Sequence, residues 1–178
     1  LLVIIKKKFS FKGLWKVLLT TGVTTGSVLF LLISAQMYSR ALAISGAINY
    51  IENFVHSLNM PDIGIVFIFM VILIALGCIL DSTSILLLTM PVMVPIVGSF
   101  GMNLVWFGIV AIVAIETGLL TPPFGLSVYT VKSSMDGILG NENMTIEDIF
   151  RGSAPFLIAM FLVLILLVIF PQITIALL

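Results

Sequence analysis

Pro122 and Pro123 are adjacent, and they sit inside an apolar stretch, Asn103 to Lys132, that is long enough to cross a membrane. Each proline lacks a backbone N–H, and its ring collides with the preceding helical turn. Thr121, just before the pair, is pushed out of helical geometry toward extended backbone. A helix that enters Gly118–Gly125 (GLLTPPFG) must therefore break inside it. In hydrocarbon no water is present to satisfy the freed carbonyls, so such backbone survives only where protein encloses it or where it lines a wet cavity. One dipeptide thus demands a discontinuous helix and a protein environment around it.

Composition says that the surroundings are a bilayer. The 178 residues are 61% hydrophobic and 9% charged, against about 45–50% and about 25% in soluble domains. The expected fold class is all-α integral membrane, multi-pass, with the lipid bilayer as a partner. Eight basic and eight acidic residues cancel, and no basic patch points to nucleic acid. Cys78 is the single cysteine, which excludes an internal disulfide and a cysteine metal cluster. The chain opens on Leu1 without an initiator Met, so it is expected to be the later part of a longer protein.

Residues 1–16 carry Lys6, Lys7, Lys8, Lys12 and Lys16 interleaved with Phe9, Phe11, Leu14 and Trp15, a pattern that suits a membrane surface. By the positive-inside tendency it lies on the cytoplasmic side, and a simple stop-transfer flank fits it equally well. A first span is expected over 17–45. Its hydroxyls (Thr20, Thr21, Thr24, Thr25, Ser27, Ser34, Ser39) serve either helix packing and back-bonding or a polar path. Tyr50 to Asp62 reads as a polar connection, and His56 within it as a surface residue with no role. The stretch 63–100 would be about 57 Å long as one helix, roughly twice the hydrocarbon thickness, so it must fold back. The polar island Asp81-Ser82-Thr83-Ser84 is the natural turn, and the two legs, Ile63–Leu80 and Ile85–Phe100, are either full spans with a tight loop outside or a hairpin whose tip is held inside protein. Pro91 and Pro95 in the second leg favour an irregular element enclosed by protein. The broken span occupies 103–132. A polar connection from Ser133 to Gly152 includes Glu142 and a capping-box pattern at Thr145 and Asp148. A last span covers 154–177.

Polar groups at membrane depth therefore concentrate at Asp81–Ser84 and Thr117–Gly125. At each break the preceding helix offers bare carbonyls and the following helix bare N–H groups. The first suit a cation and the second an anionic substrate group. Ser82, Thr83, Thr117 and Thr121 add neutral oxygens, a set suited to an alkali ion rather than zinc or copper. Asp81 and Ser82 are also ordinary N-caps, and the proline pair is also readable as a simple kink. Glu116 is the sole acid in the broken span and marks a functional position: it either ligates a cation, carries a proton, balances Lys132 or sets the local field. Cys78 reads as packing. No nucleophile–base set, phosphate loop or metal spacing suggests an enzyme, and no organic cofactor is expected.

Gly77–Val97 (GCILDSTSILLLTMPVMVPIV), Val105–Ser133 (VWFGIVAIVAIETGLLTPPFGLSVYTVKS) and Ser153–Ile173 (SAPFLIAMFLVLILLVIFPQI) resemble, in order and spacing, the signatures of the large membrane subunit of the tripartite ATP-independent periplasmic (TRAP) transporters. The likeness covers nearly the whole chain and implies the C-terminal half of that permease, the second of two inverted repeats. It implies an ion-transporter superfamily fold with a re-entrant hairpin over 63–100, a discontinuous helix over 103–132 and an elevator-type motion. It further implies symport of Na+ with an organic acid, a C4-dicarboxylate or a sialic-acid-like compound. The implied partners are a small membrane subunit and a periplasmic solute-binding protein, and the implied location is the cytoplasmic (inner) membrane of a bacterium or archaeon. Carried onto this sequence, the vicinity of the ion and substrate comprises Asp81, Ser82, Thr83, Glu116, Thr117, Gly118, Thr121, Pro122, Pro123 and Gly125. Ser82, Thr83, Gly118 and Thr121 are then the sodium candidates. Ser127 and Tyr129 depart from the Asn and Phe common in the family, and the first change alters local hydrogen bonding. A two-component sodium/dicarboxylate or citrate symporter of the same superfamily is the nearest alternative, and a non-transporting membrane scaffold the alternative of another class.

Overall fold

The computed structural model describes residues 10–139 and 145–176. Lys6, Lys7, Lys8, Phe9 and Glu142 lie outside the described residues. Eight helices run among those described: α1 Phe11–Ser45, α2 Ala47–Ser57, α3 Asp62–Gly77, α4 Ser82–Ser99, α5 Leu104–Leu120, α6 Leu126–Leu139, α7 Ile146–Ile169 and α8 Gln172–Ile175. Three of them, α1, α4 and α7, are long and apolar enough to cross a membrane. The chain divides into two packing units, Leu1–Ala41 and Leu42–Leu178.

The first unit is helical from Phe11 onward, and no residue of α1 is buried. Most of its exposed side chains are apolar: Phe30 is 71% exposed and Val23 70% exposed. A soluble helix would place charges there, so these side chains face hydrocarbon or partner protein. The hydroxyls of Thr20, Thr24, Ser27 and Ser34 each donate to the carbonyl four residues back at 2.9 Å. Self-bonding of this kind lets a polar side chain sit in an apolar medium without another partner.

In the second unit α5 is the central helix. It packs against α3, α4, α6, α7 and α8. Phe69 and Leu73 of α3, Ile85 and Ile96 of α4, Phe107 and Ala114 of α5, and Leu164 of α7 share one apolar core. The Phe69 and Phe107 rings meet edge-on with centroids 6.1 Å apart. With lipid outside, this core gains little from excluding water; close van der Waals packing and interhelical hydrogen bonds hold it. One such bond is decisive for α7. The carbonyl of Leu167 would accept, in a continuing helix, from residue 171, which is Pro171 and has no N–H. Trp106 Nε1 supplies the missing donor at 2.7 Å.

Several stretches differ from expectation, among them the connection 133–152, whose described ends are helical, within α6 to Leu139 and within α7 from Ile146. Tyr50–Ser57 is helical rather than a plain polar connection, because Ile51 and Val55 of α2 pack against the core. Gly46, left-handed at φ 71°, separates α2 from α1. His56 of α2 stacks on Phe100, with centroids 4.0 Å apart, and its Nε2 lies 3.2 Å from Ser99 Oγ. It therefore joins α2 to the end of α4 while standing exposed on the surface, as expected. Finally, α4 remains helical through Pro91 and Pro95, as helices in membranes do where neighbours and side chains compensate the lost bonds.

Candidate functional site

The hairpin turn is built by capping. After α3 ends, Ile79 N and Leu80 N both donate to the Leu76 carbonyl at 2.9 Å. Asp81 then turns extended (φ −74°, ψ 154°) and caps α4. Its carboxylate accepts from Ser84 N at 3.0 Å and from Ser84 Oγ at 2.6 Å. One sequence alternative, Asp81 as an N-cap, is thus realised. Asp81 and Thr83 are exposed on this chain, and Ser82 is half-buried.

The second break follows from proline chemistry. Thr121 is extended (φ −81°, ψ 131°) and ends α5, its N–H reaching the Gly118 carbonyl. Pro122 and Pro123, joined by a cis peptide, are exposed. Neither can return an N–H to α5. Thr121 Oγ1 instead donates to the Thr117 carbonyl at 2.7 Å, and Thr117 Oγ1 to Val113 at 2.7 Å. Thr117 is fully buried. Gly125 adopts a left-handed backbone (φ 45°) and restarts the helix through its carbonyl, which accepts from Val128 N at 2.8 Å. A Cβ on Gly125 would stand 2.9 Å from the Phe150 ring of α7, so glycine is required there twice over.

The two breaks come together. Gly77, the last residue of α3, lies against Gly118 of α5 backbone to backbone. A Cβ on Gly77 would be 2.7 Å from the Ile115 carbonyl oxygen and 2.9 Å from Gly118 Cα, and one on Gly118 would collide with the Ile74 carbonyl oxygen. Small residues let helices approach this closely in membranes. Just beyond that contact, Ser82 Oγ at the start of α4 donates to Glu116 Oε1 of α5 at 2.8 Å. Ser82, Glu116 and Gly118 thus join the turn to α5. Thr117 and Thr121 lie at the end of that helix, and Pro122, Pro123 and Gly125 form the link beyond it.

Two residues of the assembly had no expected role. Gly77 makes the close approach possible, and Ser84 holds Asp81. The signal for Gly77 was a glycine just before a polar turn; what it would face was not visible. The oxygen groups present are hydroxyls, carbonyls and the two carboxyls of Asp81 and Glu116, and among the described residues no cluster of three or more His, Cys, Asp or Glu occurs. The arrangement suits a hard, weakly held monovalent ion better than a transition metal.

The family model for the "Tripartite ATP-independent periplasmic transporter, DctM component" matches residues 1–173. Among curated proteins, the chain is similar to a putative TRAP transporter large permease protein of Haemophilus influenzae, 28% identical over 93% of this chain and 40% of the relative. It is similar to the 2,3-diketo-L-gulonate TRAP transporter large permease protein of Escherichia coli, 27% identical over 97% of this chain and 39% of the relative. It is also similar to the sialic acid TRAP transporter large permease protein of Vibrio cholerae, 26% identical over 98% of this chain and 39% of the relative. The chain spans about two fifths of the length of these relatives.

Proposed function

The chain belongs to the DctM-component family of the tripartite ATP-independent periplasmic transporters, and from that premise we propose that it forms the C-terminal half of a permease that couples Na+ entry to uptake of an organic acid. It is a multi-pass membrane protein, and the relatives are transporter permeases rather than enzymes. The proposed setting is a bacterial inner membrane. The proposed partners are a small membrane subunit and a periplasmic solute-binding protein that delivers the substrate. Relatives named for sialic acid, 2,3-diketo-L-gulonate and C4-dicarboxylates suggest a carboxylate as the common group.

The observation that carries this reading is the meeting of two interrupted helices at their interruptions, through Gly77 against Gly118 and Ser82 to Glu116. α3 and α5 are 16 and 17 residues long. At about 1.5 Å per residue each is about 25 Å, short of a hydrocarbon core of about 30 Å. A re-entrant hairpin facing a discontinuous helix has these proportions. The carbonyl ends of α3 and α5 carry negative dipole ends and the N-termini of α4 and α6 positive ones. The proposed division of labour places Na+ near Ser82, Thr83, Gly118 and Thr121 and the substrate carboxylate near the N–H ends, with Asp81, Glu116, Thr117, Pro122, Pro123 and Gly125 shaping the surroundings. Each Na+ that enters down a potential of about 100 mV yields about 2.3 kcal/mol, enough for more than tenfold accumulation. In the proposed elevator motion the ion and substrate cross together with the helices that hold them.

The test uses the full-length permease with its small subunit and binding protein in proteoliposomes, with radiolabelled succinate and sialic acid as probes. Uptake is expected to require an inward Na+ gradient and to weaken in Thr121→Val and Ser82→Ala. Uptake that is equal in choline, or unchanged in both variants, would sink the assignment.

A further inference from the structure

We infer that Glu116 is a positioning residue for the proposed cation site: it holds the Ser82 hydroxyl in the one orientation that turns its oxygen lone pairs toward an ion, without itself being a ligand. The inference rests on the reading of Ser82 as a sodium candidate and adds a role for the acid beside it.

A serine hydroxyl has one proton to donate and two lone pairs to offer. Left alone, it rotates, and in one of its orientations the proton points at any cation nearby. In this structure Ser82 Oγ donates to Glu116 Oε1 at 2.8 Å. Its only proton is thereby committed to α5, and its lone pairs point away from Glu116. The same pattern holds at the other hydroxyls of the broken helix: Thr117 donates to Val113 and Thr121 to Thr117. Three hydroxyl oxygens thus have their protons fixed on protein acceptors. Glu116 differs from the two carbonyl acceptors because it belongs to another element, 34 residues away in sequence. It therefore fixes the start of α4 relative to α5 as well as the rotor. The Gly77–Gly118 contact brings the two backbones close enough for this bond to form. In metal sites, partners that orient a ligand in this manner raise affinity without touching the ion.

Since only an acceptor oxygen is needed, Gln serves in place of Glu, whereas Ala does not. The test is equilibrium binding of radiolabelled Na+ to the purified full-length permease complex, with choline chloride holding ionic strength constant. Glu116→Ala is expected to raise the half-saturating Na+ concentration about tenfold, and Glu116→Gln, which keeps an acceptor oxygen, to stay within about threefold of wild type. Ser82→Ala is expected to weaken binding as well, and adding Glu116→Ala or Glu116→Gln to Ser82→Ala to change nothing further. Ser82→Thr, which keeps the hydroxyl, should retain the Glu116 dependence. A Glu116→Gln effect that persists in the Ser82→Ala background makes Glu116 a direct ligand and overturns the inference. So does unchanged Na+ binding in Glu116→Ala. If Glu116→Ala fails to assemble, the Gln and Ser82→Ala pair decides alone. Absence of saturable Na+ binding in wild type instead removes the cation site itself, a distinguishable outcome.

Discussion

Gly118→Ala adds one methyl group where two helices touch backbone to backbone. The new Cβ would lie 2.8 Å from Gly77 Cα and 3.1 Å from the Gly77 carbonyl carbon, and closer still to the Ile74 carbonyl oxygen. Ordinary contact starts at 3.4 Å, and 3.4 less 2.8 leaves at least about 0.6 Å that α3 and α5 must open, the Ile74 carbonyl oxygen demanding more. No flexible side-chain end is available to swing aside. Overpacking a tight interior costs about 1–3 kcal/mol, and backbone on the far side puts this case near the upper limit, about 3 kcal/mol. Alanine for glycine in a helix interior recovers about 1 kcal/mol. The net loss is about 2 kcal/mol, roughly 30-fold in the folding equilibrium. The measurement is the unfolding midpoint of the purified full-length permease in a denaturing detergent, with Gly108→Ala as control. Gly108 is in the same helix and has nothing within 4 Å of a built Cβ, so that variant should be neutral or slightly stabilised. Gly77→Ala opens the same gap from the other side, and the double variant should lose less than the sum. Wild-type stability in Gly118→Ala, with Gly108→Ala behaving as described, would refute the account of how the two breaks are held together.

Two further outcomes follow from single contacts. Trp106→Phe strips the donor from the Leu167 carbonyl, leaving a buried acceptor without its partner, and it also removes one ring of a buried side chain; a loss of at least about 1–3 kcal/mol is expected in the same unfolding assay. Gly125→Ala forces a Cβ onto a left-handed backbone and against the Phe150 ring, for a loss of at least about 1–2 kcal/mol. An unchanged midpoint in either variant counts against that contact.

The sequence was most informative where a residue's own covalent chemistry decides the matter. Proline has no N–H, so the interruption at Thr121–Gly125 was legible. The capping box was too: Thr145 N donates to Asp148 Oδ2 at 3.0 Å, and Asp148 N returns to Thr145 Oγ1 at 3.2 Å. The meeting of Ser82 with Glu116 was not legible, because local pattern carries no information about residues 34 positions apart. Nor was α2, whose Ile51 and Val55 are separated by Asn53, Glu52 and Phe54 and were outweighed by the polar residues around them. For α1, a count of hydroxyls left two readings open. The back-bonds from Thr20, Thr24, Ser27 and Ser34 place the protons of four of those seven groups within the helix, which is compatible with either reading because the oxygen lone pairs stay free. The assignment of ion and substrate to particular oxygens stayed beyond sequence for a physical reason. A weakly held ion is bound by carbonyls and hydroxyls, which every chain has in quantity.

The bond from Trp106 to the Leu167 carbonyl has a mechanical consequence. Trp106 is near the start of α5, and the proline break is at its far end, about 20 Å along the helix axis. The indole donates to one carbonyl of α7, and Pro171 brings that carbonyl no N–H. An axial slide of α5 along α7 by a single turn would strand both groups. A displacement at the break that keeps this bond is taken up by bending at residues 121–125, or by α5 and α7 travelling as one piece. The chain carries its own register lock, and the lock sits as far from the site as the helix allows.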